Sequence, residues 1–184
     1  MGKWLCSGLM AFAVLSAHAA PAAAAEDDMA RFMADRGLLG QIEQVRSTVA
    51  DRTSELVMNA MAFLGVPYRR GGNNAETGFD CSGFVRSIYE RTVGLVLPRL
   101  AKDQAAATQP IDKTDLQPGD LVFFNTMRRA FSHVGIYIGE GKFIHAPKPG
   151  AQVRVEDMHA AYWQRRFDGA RRVVNFETAA GAQQ

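Results

Sequence analysis

Cysteine is scarce in this chain: 184 residues hold two, Cys6 and Cys81. Cys6 lies in an apolar run from Trp4 to Leu15, which follows Lys3 and precedes Ala17-His18-Ala19. That is the pattern of a secretory signal with a small-x-small cleavage site, expected to be cut between about residues 19 and 25. Cys6 sits inside the run rather than at its end, which argues against a lipid-modified cysteine and assigns it to the discarded peptide. The mature chain is then left with one thiol and no internal disulfide. Long hydrophobic runs are missing too, so no transmembrane span is expected and the protein should be periplasmic or secreted. An excess of one charge is also lacking. Without Lys3, the 21 basic residues become 20 against 19 acidic ones, which does not suggest nucleic acid as the main partner. Arginine pairs at Arg69-Arg70, Arg128-Arg129, Arg165-Arg166 and Arg171-Arg172 would favour an anionic substrate only if they met at one cleft. There are no internal repeats.

What is present reads as one domain with two attachments. After the signal (residues 1–25), residues 26–54 form a polar N-terminal extension in which Ile42, Val45 and Val49 recur at helical spacing. This extension is expected to be an amphipathic helix packed on the main domain. Residues 55–176 form the domain, and the Ala/Gly/Gln-rich residues 177–184 are expected to fray. Within the domain a helix over residues 55–64 stops at Gly65 and Pro67. Asp80 is placed to cap a second helix from Cys81 to about Thr92, with Phe84, Val85 and Ile88 inward and Gly94 just past its end. A short helix follows near residues 100–107. Strand-like runs then cover residues 121–124, 132–139, 142–146, 152–155 and 169–174, with Glu140-Gly141 as a tight hairpin. Helices first and antiparallel strands after is an α+β order.

The thiol that remains stands at a helix start, among unsatisfied backbone N–H groups and the positive end of the dipole. Both favour thiolate over thiol. The plain alternative is a small buried core residue. A thiolate nucleophile needs a base, usually a histidine held by a third group. His133 opens one strand-like run and His145 closes its hairpin neighbour, so the pairing brings them together as base and orienter. His159 falls in a helical segment and matches nothing; His18 leaves with the signal. Cys81, His133 and His145 could also supply three zinc ligands. No Cys-x-x-Cys, His-x-x-His or His-Glu-x-x-His accompanies them, and neither metal nor organic cofactor is expected. Ser82 lacks a Gly-x-Ser-x-Gly elbow, and Gly71-Gly72 lacks the lysine of a phosphate loop.

A series of motifs resembles one family. Leu64-Gly65-Val66-Pro67-Tyr68-Arg69-Arg70-Gly71-Gly72, Asp80-Cys81-Ser82-Gly83-Phe84 and Leu97-Pro98-Arg99 come first. Gln117-Pro118-Gly119-Asp120-Leu121-Val122-Phe123-Phe124, His133-Val134-Gly135-Ile136-Tyr137-Ile138-Gly139 and Phe143-Ile144-His145-Ala146 follow. Together they are similar to the NlpC-type cell-wall peptidases, bacterial members of the papain-like cysteine peptidase superfamily. The resemblance spans residues 55–174. It implies a papain-like α+β fold, with helices carrying the nucleophile on an antiparallel sheet carrying the histidines. It implies a cysteine endopeptidase acting, as a monomer, on amide bonds of peptidoglycan stem peptides or crosslinks. By position it implies Cys81 as nucleophile, His133 as general base and His145 as orienter. Tyr68 would help hold the oxyanion, and Asp80 and Ser82 would shape substrate binding. An amidase or acyltransferase on the same scaffold, or a wall-binding protein without catalysis, are the other readings. Two features depart from the family: Arg70 stands where an aromatic is common, and no SH3-like or LysM-like module precedes the domain.

Overall fold

The computed structural model describes residues 37–174. The expected signal over residues 1–25, residues 26–36 of the extension and the tail over 177–184 lie outside the described residues. By its contacts the chain divides into residues 1–43 and 44–184. In the first unit the described part is the opening of helix α1 (Leu38–Met61), where Leu39 and Ile42 are exposed.

The second unit begins inside α1. The helix expected over residues 55–64 is the end of this longer helix, which runs through residue 54 and stops at Met61. Ser47, Thr48 and Ser54 turn their hydroxyls back onto the carbonyls of Gln44 and Ala50 within the helix. Nor does Val45 pack as the amphipathic pattern suggested, for it is exposed. The buried stripe comes later, at Leu56 and Ala60, four residues and about one turn apart.

A two-stranded hairpin, β1 (Asn73–Asn74) with β2 (Gly78–Phe79), leads into helix α2 (Cys81–Val93). Asp80 and Gly94 end α2 as expected. The Asp80 carboxylate accepts the Gly83 N–H at 2.8 Å, and Gly94 takes the left-handed conformation with φ 71°. Helix α3 (Ala101–Ala106) follows. A six-stranded antiparallel sheet then takes over, in the order β3-β8-β4-β5-β6-β7. Its strands are β3 (Gln109–Ile111), β4 (Leu121–Phe124), β5 (His133–Gly139), β6 (Lys142–His145), β7 (Arg154–Asp157) and β8 (Phe167–Arg172). Strand β3 escaped the sequence reading because Pro110 interrupts it, which an edge strand tolerates. The run expected over 152–155 is shared between two partners. The Val153 carbonyl accepts from the Gly65 N–H and its own N–H donates to the Val66 carbonyl, while the Ala151 carbonyl accepts from the Tyr68 N–H, before β7 joins β6 at Arg154. His159 is not helical: it sits in a turn with its N–H on Asp157 Oδ1 at 2.7 Å, ahead of the short helix α4 (Ala161–Gln164).

Strand alternation divides the buried residues into two layers. Leu121, Phe123, Val134, Ile136 and Ile144 join Phe84, Val85 and Ile88 of α2 and Leu56 and Ala60 of α1 in the main core. Val122, Phe124 and Phe143 turn the other way and meet Met158 and Trp163 in a smaller cluster. The result is the expected α+β papain-like arrangement, with the cysteine helix packed on an antiparallel sheet.

Candidate active site

The start of α2 is held by a close approach of backbone. A Cβ at Gly83 would lie 2.1 Å from the Gly72 carbonyl oxygen, and a Cβ at Gly72 would lie 2.1 Å from that of Gly78. Glycine is required at both, and Cys81 is fixed against the hairpin by them. Asp80 adds a polar lock. Its two oxygens take Arg99 Nη1 at 3.0 Å and Nη2 at 2.6 Å, together with the Gly83 and Gly71 N–H groups. Arg99 Nη1 also reaches Ser82 Oγ at 3.0 Å. Arg99 thus gives the Leu97-Pro98-Arg99 motif a physical purpose that its sequence did not reveal. Asp80 is tied into this lock and Ser82 is buried beside it, so both belong to the packing of the helix start.

His133 and His145 meet as the hairpin predicted. Glu140 and Gly141 both take positive φ, 51° and 70°, which matches the twist of the flanking strands. The register pairs Ile136 with Ile144. His145 then falls opposite Gly135, and His133 is its diagonal neighbour on the same face. His133 Nε2 lies 2.6 Å from His145 Nδ1, with the rings edge to face at 88°. Gly135 makes this possible: a Cβ there would stand 2.6 Å from the Phe143 ring and 3.2 Å from His145 Cβ. Among the described residues no group of three or more His, Cys, Asp or Glu is arranged to hold a metal ion.

Beyond the histidines lie two residues that sequence reasoning missed. Glu156 of β7 brings Oε1 within 3.7 Å of His145 Nε2. Its carboxylate also accepts from Trp163 Nε1 and from the Arg154 guanidinium. Trp163 stacks on His133 at 24° and 5.8 Å and meets His145 edge-on. Glu156 carried no signal, lying just past the run expected over 152–155; Trp163 stood out only as one of two tryptophans.

Cys81, His133 and Tyr68 line one cleft of about 520 Å³, with Arg70, Lys148, Arg154, Glu156 and Trp163 along its walls. A second recess of about 460 Å³ opens beside it, lined by Ser82, Lys102 and Arg129, and shares Cys81, Met127 and Ser132 with the first. A groove therefore passes the thiol on two sides. Some of the paired arginines do reach it, through Arg70 and Arg129. Arg171 and Arg172 instead serve the fold, Arg172 gripping Asp120 at 2.8 Å.

The electrostatics correct one expectation. Cys81 opens onto the cleft and is half-buried by its surface, yet protein crowds it enough that burial pushes its pKa up to about 11. The Asp80 charge adds to that rise, and together they outweigh the Val134, Ser82 and Cys81 N–H groups that favour thiolate. Burial therefore works against the thiolate that the helix start favours. Burial, joined by repulsion from His145, holds His133 well below the usual imidazole range, which favours the neutral ring. Burial lowers His145 too, opposed by Glu156. Glu156 is held down to about 2, first by its approach to His145 and then, against the cost of burial, by Trp163 and Arg154. At 3.7 Å the His145 approach is longer than a hydrogen bond, so the closer donors hold the charge more firmly. Tyr68 is raised by burial and by the nearby Cys81 and Asp80.

Residues 65–172 match the model of the NlpC/P60 family. The chain belongs to the NlpC/P60 family. It is 38% identical over 143 residues to Murein DD-endopeptidase MepH of Escherichia coli (strain K12), covering 76% of this chain and 53% of that protein. It is 40% identical over 131 residues to Murein DD-endopeptidase MepS/Murein LD-carboxypeptidase of the same strain, covering 71% and 64%. The chain thus spans about half to two thirds of the length of these relatives. A crystal structure of an NlpC/P60 family protein from Bacillus cereus ATCC 10987 superposes with a TM-score of 0.61 at 36% identity, covering 65% of this chain and 39% of that one.

Proposed function

We propose that this NlpC/P60 protein is a cysteine endopeptidase that hydrolyses amide bonds in the stem peptides or crosslinks of peptidoglycan. The observation that carries the reading is the single groove: a lone thiol at a helix start shares it with a buried histidine whose far nitrogen is engaged by a second histidine. The relatives bear on the substrate, since MepH and MepS are by name murein endopeptidases.

The chemistry is acyl transfer. Cys81 Sγ attacks the substrate carbonyl while its proton passes to His133, whose Nε2 is occupied by His145 and whose Nδ1 is left to serve as base. Starting from neutral thiol and neutral imidazole, this transfer accompanies attack and creates the charged pair only when it is needed. The tetrahedral oxyanion is held by the Cys81 backbone N–H with help from Tyr68, whose phenol stays protonated because its pKa is raised. His133 then protonates the leaving amine, and a water activated by the same imidazole hydrolyses the thioester. His145 orients His133. Asp80 and Ser82 shape the substrate pocket by way of Arg99, which keeps the α2 N-terminus in place. Arg70, Lys148 and Arg129 give the groove a basic lining suited to a substrate bearing carboxylates.

The N-terminal signal pattern supports export to the periplasm or beyond, and the protein is read as a monomer. Among the described residues no helix is long and apolar enough to cross a membrane. Purified muropeptides incubated with the protein should yield new fragments by mass spectrometry, each one hydrolysed amide apart from its parent. Cys81→Ala protein should yield none. Unchanged muropeptides, with turnover of a different amide or ester substrate, would move the activity to another substrate of the same scaffold.

A further inference from the structure

We infer that Glu156 is a positioning residue which, acting through His145, selects the tautomer of His133 that can take the proton of Cys81. The inference rests on the peptidase reading above and extends its chain of polar groups by one member.

The geometry is a diagonal relay across three neighbouring strands. His133 lies on β5, and on β6 His145 is displaced by two positions in register. On β7, Arg154 pairs with His145, so Glu156 is displaced by two more. Alternation keeps all three on one face of the sheet. Along that face His133 Nε2 meets His145 Nδ1 at 2.6 Å, and His145 Nε2 faces Glu156 Oε1 at 3.7 Å. His145 is completely buried, and its Nε2 has no hydrogen-bond partner closer than this carboxylate.

Proton counting does the rest. Each neutral imidazole carries one N–H and one lone pair. Between His133 Nε2 and His145 Nδ1 only one can donate. If His145 carried its proton on Nδ1, its Nε2 lone pair would face the Glu156 anion inside a buried site, two acceptors opposed. If it carries the proton on Nε2, the N–H faces the carboxylate and the contact is attractive. His145 Nδ1 is then an acceptor, so His133 must donate from Nε2. That leaves the His133 lone pair on Nδ1, the nitrogen available to the thiol. The opposite tautomer would present an N–H to a thiol and could accept nothing from it.

The surroundings of Glu156 keep it an anion and an acceptor. Arg154, from the same strand, and Trp163, from α4, both donate to it, while Arg70 and Lys148 line the same cleft. Both carboxylate oxygens thus face donors. An amide in this place would turn its NH2 toward Arg154 or Trp163 in either orientation, so Glu156→Gln, although isosteric, fails to reproduce the site. Trp163 also stacks on His133, which ties the ring held by the relay to the residue that anchors its far end.

The test is the imidazole tautomers, read by long-range proton–nitrogen correlation NMR on the full chain labelled at histidine, together with kcat and KM on muropeptides. In the wild type both His133 and His145 should carry the proton on Nε2. In Glu156→Gln and Glu156→Ala the His133 signals should shift toward the Nδ1–H form. At the same time kcat should fall about 10- to 100-fold with KM little changed, less than the loss of about four orders of magnitude for mis-setting a catalytic imidazole directly. Formate should restore part of kcat in Glu156→Ala. Asp157→Asn, which removes an equal charge from the neighbouring exposed position, should change neither readout. The inference is overturned if wild-type His133 carries its proton on Nδ1, an outcome that needs no variant. It is equally overturned if the tautomers of folded Glu156 variants match the wild type, or if KM alone rises, which would make Glu156 a substrate contact. A wild type that leaves muropeptides intact would sink the peptidase reading, while the tautomer measurement would still judge this one.

Discussion

The two faces of the central sheet are built from alternate residues of the same strands, yet they do different work. On β5, Val134 and Ile136 enter the main core beneath α2, whereas His133 and Gly135 look toward Trp163 and the second histidine. On β6, Ile144 belongs to the first face and Phe143 and His145 to the second. The first face carries the main apolar core between the sheet and α2 and holds the domain together by burial. The second is also dry, but its dryness acts on charge: it lowers both imidazoles and leaves His145 Nε2 facing a carboxylate. A period of two thus lets one short hairpin supply both stability and reactivity, at the cost of burying polar groups that need one another.

The largest effect that would sharpen this contrast comes from two substitutions three residues apart. On the proposed mechanism His133→Ala removes the proton carrier, so kcat on muropeptides should fall by about four to six orders of magnitude, with little change in urea stability. Ile136→Ala, on the opposite face of the same strand, should cost about 2–5 kcal/mol of unfolding free energy. The fraction that stays folded should turn over at nearly the wild-type rate. Equal loss of stability in both variants would erase the division of labour between the faces.

A smaller loss is expected at the next member of the relay. His145→Ala should leave more activity than His133→Ala, because it removes the orienter and not the carrier. His145→Asn or His145→Gln should regain part of it, since an amide can still hydrogen-bond the imidazole. Circular dichroism must show all three folded, as His145 is fully buried. Wild-type activity in folded His145→Ala would break the relay at this point.

The smallest effect is a pH dependence of stability. His133 and His145 have folded pKa values below their ordinary 6.5, so the unfolded chain binds more protons as pH falls through that value. Glu156 behaves alike from 4.5 down to about 2. All three contributions are present above the unfolded pKa and are lost on acidification. Urea midpoints should therefore fall from pH 7.5 to pH 4.5, and fall less in His133→Ala. A midpoint that rises over this range would contradict the buried, neutral histidines. The same lowering should carry the acid limb of kcat/KM below pH 6.5.

Much of this was legible beforehand because it is local. Asp80 and Gly94 announced the two ends of α2 through capping chemistry, and Glu140-Gly141 announced the hairpin through its demand for positive φ. The strand pairing then brought His133 to His145 by register alone. The helix expected over residues 55–64 proved to be the end of the longer α1, which runs through Ser54 because a hydroxyl can be satisfied inside a helix as well as at its end. His159 read as helical although the turn before α4 claims it.

Sequence alone therefore determined the family, the α+β order, and which thiol and which imidazoles would be brought together, since each depends on spacing within one or two adjoining elements. Only the tertiary structure decided that Glu156 and Trp163 stand beside the two histidines and that Arg99 ties down the helix start. It also decided that burial and Asp80 raise the Cys81 pKa against the pull of the helix start. Those outcomes depend on which distant segments exclude water from a given atom and which donors they bring to it. Burial and long-range contact belong to the whole packed chain and have no signature in a local pattern.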